Sequence, residues 1–245
     1  MTTDRIDFFR QNGYLVIQKA LSRTEVDQLN RAIDRDRERH PQMWMSRGEG
    51  GRSQAVNLLL SCRDFHASIR QPSVIPHIES LMGEEVCFEE HSVMIREPID
   101  GEPPSPAWHR DTPHLPGHPL AMRHLSAVYY LTDVDECTHC FGIVPEGVEE
   151  KRKMPADDRD SSGAIGLYGA AGTAILFNAG SCHSGMLRQT DRQRRTIHIY
   201  YGHRSQPALS NHTIFPRRLV DAEDKATRRL FGRPNAITEL VRNSA

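Results

Sequence analysis

Trp108-His109-Arg110-Asp111 is the stretch on which the reading of this chain turns. Along an extended segment successive side chains alternate faces, so His109 and Asp111 point one way and Arg110 the other. One imidazole and one carboxylate are thereby offered to a common point. A second imidazole from a distant strand would complete a set of two histidines and one carboxylate, which leaves open positions and suits non-haem Fe(II). His183 is the best third ligand. It follows the run Gly172-Thr173-Ala174-Ile175-Leu176-Phe177, which reads as a strand, and it precedes a basic strand. By itself His-x-Asp is a weak signal, and more often marks a surface histidine and an aspartate that starts a turn.

Arg194 strengthens the metal reading. It lies eleven residues after His183, and Arg194-x-Thr196 sets a guanidinium and a hydroxyl on one strand face. A guanidinium matches a carboxylate with two parallel hydrogen bonds. A dicarboxylate that chelates a metal at one end needs such an anchor at the other. At this point the chain resembles the phytanoyl-CoA dioxygenase family of Fe(II)/2-oxoglutarate oxygenases over most of its length. Phe9-x-x-x-Gly13-Tyr14-Leu15-Val16-Ile17 resembles the family's opening, and Trp108-His109-Arg110-Asp111 its Trp-His-Gln-Asp. Leu131-Thr132-Asp133-Val134-Asp135 and Ile143-Val144-Pro145 resemble its central strands, and Gly172 to Phe177, then His183, then Arg194, its distal motif. The resemblance implies that His109, Asp111 and His183 are the catalytic iron ligands. It implies that Arg194 and Thr196 hold the far carboxylate of the co-substrate 2-oxoglutarate, with O2 as the second co-substrate. Arg96 falls where a basic residue often reaches toward the oxoglutarate, the equal alternative being an exposed arginine at a strand end. Val128 falls where the family often has an aromatic residue; that departure either widens the pocket or leaves Tyr130, on the same face, to replace the lost surface beside the co-substrate. Two further departures are Asp135 to Cys140 in place of an Asn-Gly turn, and Val144 to Glu149 in place of Pro-Gly-Ser-His.

Bulk properties set the outer bounds. The chain has 245 residues, 31 Lys plus Arg against 32 Asp plus Glu, and mixed signs throughout. That is long enough for a sizeable core and gives no electrostatic case for nucleic acid or membrane as partner. The start lacks a basic segment followed by an apolar one, and no apolar run reaches membrane-spanning length, so the expectation is a cytoplasmic protein. Five scattered cysteines are read as reduced thiols rather than a disulfide framework. Cys137-x-His139-Cys140 lacks the second knuckle that a four-ligand structural zinc site needs.

In order, Asp7 to Gln11 reads as a short helix ended by Gly13, and Tyr14 to Ile17 as a strand. Ser22-x-x-Glu25 is a capping box for a helix running to about His40, with Val26, Leu29 and Ile33 at helical spacing. Gln42 to Ser53 sets Met43-Trp44-Met45 beside Gly48, Gly50 and Gly51. It is expected to be a mobile cover over a pocket, the plain alternative being a tryptophan that pins the loop. Val56 to Leu60 reads as a buried strand, Phe65 to Ile69 and Val74 to Leu81 as helices stopped at Gly83, and Glu85 to Glu97 as a strand with Val93 and Ile95 on one face. Thr112 to Met122, rich in Pro and His, is expected to form a pocket rim. His124 to Thr132 is a strand whose Ser126, Val128 and Tyr130 share a face. Lys151 to Ser162 is a polar excursion, His198 a core or pocket-wall group, and Leu219 to Leu230 a C-terminal helix stopped by Gly232 and Pro234.

Short strands, Pro/Gly turns and ligands from distant strands, together with the resemblance, point to a mainly β fold with flanking helices: a double-stranded β-helix of the jelly-roll, cupin-like kind. One domain over 1–245 is expected, with a helical part over about 1–83, a β-helix core over about 84–205 and a helical tail. The implied function is hydroxylation of a small organic molecule with release of succinate and CO2, by a monomer or homodimer. Asp111 stands where related iron halogenases have a small residue, which argues against halogenation. The rivals are other 2-oxoglutarate-dependent oxidations, a jelly-roll isomerase or hydrolase that needs no 2-oxoglutarate, and a non-catalytic binding module.

Overall fold

The computed structural model describes residues 2–47, 51–112, 122–149 and 161–244. Helix α1 (Thr3–Asn12) ends where Gly13 turns left-handed, at φ 72°, and leads directly into β1 (Tyr14–Ile17). Glycine is required twice over here. A Cβ would fall 2.6 Å from Ser181 Oγ and 2.8 Å from the Glu146 carbonyl, so this corner is pressed against two loops that matter below. Helix α2 (Arg23–Arg39) opens on the expected capping box, with Ser22 Oγ accepting from Glu25 N and the Glu25 carboxylate accepting from Ser22 N.

The strands β2 (Met45–Arg47), β3 (Arg52–Ala55), β4 (Val86–Arg96), β5 (Leu125–Tyr130), β8 (Ala174–Asn178) and β10 (Arg194–His203) join β1 in a seven-stranded sheet, in the order β1-β8-β5-β10-β4-β3-β2. A second sheet has the order β7-β6-β9, from β6 (Cys140–Ile143), β7 (Ile165–Leu167) and β9 (His183–Met186). All pairings of these strands are antiparallel. Two antiparallel sheets with helices on one side are the double-stranded β-helix expected from the sequence. The helical N-terminal part is not a separate layer, because β1, β2 and β3 come from it and join the large sheet.

Strand alternation divides the interior in two. On β5 and β10, Ala127, Tyr129, Ile197, Ile199 and Tyr201 face the larger cluster, which takes in Val26, Leu29 and Ile33 of α2 and Phe9 of α1. Val128 and Tyr130 face the other way, joining Ile175 and Phe177 of β8 and Phe141 and Ile143 of β6 between the sheets. Arg194, Thr196, His198 and Tyr200 share the parity of the second set. Their cross-strand partners Arg96, Met94, Ser92 and Glu90 have the same parity on β4.

Two expectations need correcting. Val56 to Leu60 is not a strand. β3 ends at Ala55, and Leu58–Ser61 is a single helical turn (α3) that buries Leu58 and Leu59 while Leu60 is exposed. A run of leucines fits a strand buried on both faces or a helix turn equally well, and here Asn57 leaves the sheet to accept from Ile214 N. The C-terminal helix is also not continuous over Leu219 to Leu230. Between α4 (His66–Ile69), α5 (Ile75–Met82) and the chain end lie α6 (Arg217–Val220), α7 (Lys225–Phe231) and α8 (Ala236–Asn243). Asp224 caps Thr227 N and Asn235 caps Thr238 N, so each side chain starts a new helix in what periodicity alone reads as one. Gly232 does end α7, as expected.

Trp44 is fastened down. Its indole N–H donates to Asp36 of α2 at 2.9 Å, and the Arg37 guanidinium lies 5.8 Å from its ring centre. Across the Gln42 to Ser53 segment, Met45–Arg47 and Arg52–Ala55 pair as the antiparallel strands β2 and β3, next to the anchored tryptophan. Residues 48–50 of the segment lie outside the described residues. So do 113–121 of the expected pocket rim and 150–160 of the polar excursion.

Candidate metal and co-substrate site

His109 and His183 meet as a directly opposed antiparallel pair. His109 N donates to His183 O at 3.0 Å and His183 N to His109 O at 2.9 Å, which sets the two rings 4.4 Å apart. Asp111 N and Thr112 N both donate to Ala179 O, so the His-x-Asp segment is zipped to the approach into β9. Asp111 then turns to the same side as His109. Its two oxygens lie 3.4 Å from His109 Nε2 and 3.3 Å from His183 Nε2. One ligand atom from each of the three residues falls within 4.8 Å of the others, the one such group among the described residues.

The surroundings prepare these groups as ligands. Each imidazole bonds a backbone carbonyl through Nδ1: His109 to Ala107 at 2.8 Å and His183 to Ser181 at 2.9 Å. With Nδ1 bound to a carbonyl, Nε2 is the ring atom turned toward Asp111, and this is the usual arrangement behind metal-binding histidines. The His183 ring is held between Phe177, at 4.6 Å, and Phe141, at 5.4 Å. Burial works to raise the Asp111 carboxyl, but the His183 charge and hydrogen bonds from His109, His183 and Tyr200 outweigh it and hold it far below the usual range. The residues present fit a divalent cation: an ionised carboxylate and two imidazoles that present Nε2 to it.

Arg194 occupies the other end of the same inner face. It is 7% exposed, and its Nε and Nη1 have no hydrogen-bond partner among the described residues. Leaving such donors dry costs about 1–3 kcal/mol or more, so they are built for an anion. Gly185 of β9 lies opposite. A Cβ there would sit 3.7 Å from Arg194 Nη2 and 4.0 Å from Arg96 Nη2, so Arg96 reaches the same place. Burial, followed by the charges of Arg52 and Arg194, brings the Arg96 guanidinium down to about 10. Arg52, Arg96 and Arg194 are successive cross-strand neighbours on β3, β4 and β10. Thr196 Oγ1 bonds Met94 O at 3.3 Å and His198 Nε2 at 3.1 Å, and His198 is pushed down to about 3 by burial and then by Arg194. Tyr130 is buried, and its hydroxyl donates to Leu167 O at 2.7 Å and accepts from Phe141 N at 3.0 Å. It can offer a ring to a co-substrate, while its polar atom serves the backbone. Arg195 faces the helices, paired with Asp34 at 2.8 Å.

Two residues beside the site carry no local signal in the sequence. Arg110, turned away from the metal ligands, forms a buried pair with Glu146, the two side chains being 8% and 4% exposed. Arg110 Nη1 also donates to Gly180 O at 2.6 Å, and Glu146 Oε1 accepts from Cys182 N at 2.7 Å. Glu146 belongs to the loop that departs from the family's Pro-Gly-Ser-His. The second residue is Tyr200, whose hydroxyl donates to Asp111 Oδ2 at 2.6 Å. The Cys137-His139-Cys140 turn holds no metal set. His139 Nε2 bonds Glu97 O and its Nδ1 accepts from Arg188 N, so both ring atoms are used.

A jelly roll with two histidines and a carboxylate on paired strand ends, and a buried arginine deeper on the same face, defines the non-haem iron, 2-oxoglutarate-dependent enzymes. The family model for phytanoyl-CoA dioxygenase (PhyH) matches residues 9–196, and the chain belongs to that family. No curated protein matches the chain. Among solved structures it is similar to the epimerase SnoN in complex with Fe3+, alpha ketoglutarate and nogalamycin RO, at 20% identity over 82% of each chain, with a TM-score of 0.67. The alpha ketoglutarate-dependent carbocyclase SnoK from nogalamycin biosynthesis is 19% identical over 83% of this chain and 84% of its own, with a TM-score of 0.68. HygX from Streptomyces hygroscopicus, with nickel and 2-oxoglutarate bound, is 15% identical over 93% and 94%, with a TM-score of 0.69. No helix among the described residues is long and apolar enough to cross a membrane.

Proposed function

We propose that this enzyme oxidises a small organic molecule, with hydroxylation as its default outcome: R–H, O2 and 2-oxoglutarate give R–OH, succinate and CO2. The observation that carries the reading is the pair of orphaned Arg194 donors, buried on the same inner face as His109, Asp111 and His183. A jelly-roll isomerase or hydrolase that needs no co-substrate has no use for them. Bound iron supplies the activation of dioxygen; the chain supplies the framework for it. His109, Asp111 and His183 hold the cation. Arg194, with Arg96 beside it and Thr196 on its strand, would hold the far carboxylate of 2-oxoglutarate and so orient the co-substrate toward the metal ligands. Tyr130 contributes the ring that walls the co-substrate from the small sheet.

Two of the structural neighbours favour a second outcome class. An epimerase and a carbocyclase share this fold, and epimerisation, ring closure and desaturation differ from hydroxylation in where the substrate carbon is held. The test is anaerobic loading with Fe(II) and 2-oxoglutarate, followed by a screen of small molecules for stimulated succinate release under 18O2. One labelled oxygen in the product supports hydroxylation. Loss of two hydrogens without label assigns desaturation or cyclisation. Absence of succinate with every co-substrate condition would remove the 2-oxoglutarate reading. Titration is expected to show one tight equivalent of Fe(II) in the parent protein and its loss in His183→Ala. Unchanged affinity and stoichiometry would take His183 out of the ligand set.

A further inference from the structure

We propose that Tyr200 is a positioning residue that keeps Asp111 a one-oxygen ligand. The inference rests on the metal reading above. β5 and β10 carry four tyrosines with settled hydrogen bonds. Three of them brace the framework, donating to backbone carbonyls: Tyr129 to Ser68 O at 3.0 Å, Tyr130 to Leu167 O at 2.7 Å and Tyr201 to Ile69 O at 2.7 Å. Tyr200 donates instead to an ionised side chain, Asp111 Oδ2, at 2.6 Å. That length is typical of a charge-assisted O–H···O⁻ bond, the strong kind.

The backbone is shaped for this contact. The β10–β4 register slips between Tyr200, opposite Glu90, and Tyr201, opposite Phe88, which leaves Glu89 as the extra residue of a bulge. Bulges re-aim side chains beside sites of chemistry. Here Tyr200 keeps the inward parity of Arg194, Thr196 and His198 and reaches Asp111, while Tyr201 goes to the helical side. Asp111 is also held from its backbone, through Ala179 O, so the tyrosine acts on the carboxylate's orientation and not on the path of the loop.

The consequence is a count of coordination positions. An octahedral ion has six. An ion held by two imidazoles and one carboxylate oxygen would keep three positions, enough for 2-oxoglutarate and dioxygen together. If both Asp111 oxygens bound, only two would remain and the co-substrate would fill them. Oδ2 lies 3.3 Å from His183 Nε2 and Oδ1 3.4 Å from His109 Nε2, so both oxygens face the ligand set, and it is the Tyr200 hydrogen bond to Oδ2 that would leave Oδ1 as the ligand atom.

Nitric oxide, a stand-in for dioxygen, tests this without turnover. The full chain is loaded anaerobically with Fe(II) and 2-oxoglutarate and titrated with nitric oxide, read by electron paramagnetic resonance. Tyr200→Phe is expected to bind one Fe(II) at saturating metal and to melt close to the parent protein, and to weaken nitric oxide binding at least about tenfold, matching the scale on which losing a partner of a metal ligand lowers metal affinity or activity. Nitric oxide affinity equal to the parent's would overturn the proposal. Should Tyr200→Phe not fold, 3-fluorotyrosine placed at position 200, a stronger donor, decides. It is expected to hold nitric oxide at least as tightly as the parent and to displace the iron–2-oxoglutarate charge-transfer band; an unchanged band overturns the proposal. A parent protein that binds no Fe(II) is a different failure, and one that sinks the metal reading itself.

Discussion

Arg110→Ala is expected to destabilise the protein by about 3–5 kcal/mol, because it strands the Glu146 carboxylate in the interior without its counter-charge. The cost follows from geometry. The guanidinium contacts both Glu146 oxygens and Gly180 O, and the carboxylate in turn holds Cys182 N. Together they fasten the His109–Asp111 segment to the residues that lead into His183. Urea unfolding monitored by circular dichroism measures the effect. Arg110→Met with Glu146→Leu should recover most of the loss, since exchanging a buried pair for apolar groups is often close to neutral. The double variant is still expected to bind Fe(II) more weakly than the parent, because Cys182 N loses its acceptor one residue before a ligand. A single Arg110→Ala variant of parental stability would mean that water reaches the pair.

Arg194→Ala is expected to raise the dissociation constant for 2-oxoglutarate roughly thirty-fold to a thousand-fold, the equivalent of about 2–4 kcal/mol for a buried, charge-assisted anchor. Iron affinity should change little, since Arg194 is not among the ligands. Arg195→Ala is the matched control. Its guanidinium pairs with Asp34 on the helical side and touches Gln193, so 2-oxoglutarate binding should stay near the parent value. Anaerobic titration of the Fe(II) protein with 2-oxoglutarate reads both. A larger effect from Arg195 than from Arg194 would put the inward face of β10 one residue out of register.

What was legible in the sequence was what strand alternation or a local cap encodes. His109 and Asp111 share a side because they are two apart, and Arg194, Thr196 and His198 share one for the same reason. The capping box at Ser22 and the stop at Gly13 were equally readable, since each depends on residues within one turn. The same locality explains the misreadings. Leu58-Leu59-Leu60 has no period that separates a doubly buried strand from a helix turn. The break between α6 and α7 is made by Asp224 competing for Thr227 N, inside a stretch whose apolar spacing runs straight through.

The sequence by itself determined which side chains could form a metal and carboxylate site, and which faces of their strands would carry them. Only the tertiary structure decided what supports them. Arg110 finds Glu146 across 36 residues, Tyr200 finds Asp111 across 89, and Arg52, Arg96 and Arg194 line up because three distant strands share one register. Trp44 is anchored because Asp36, near the end of α2, accepts from its indole N–H. Such partners are chosen by which strands become neighbours, and that choice is made by burial of the whole apolar pattern, which no short window of residues contains.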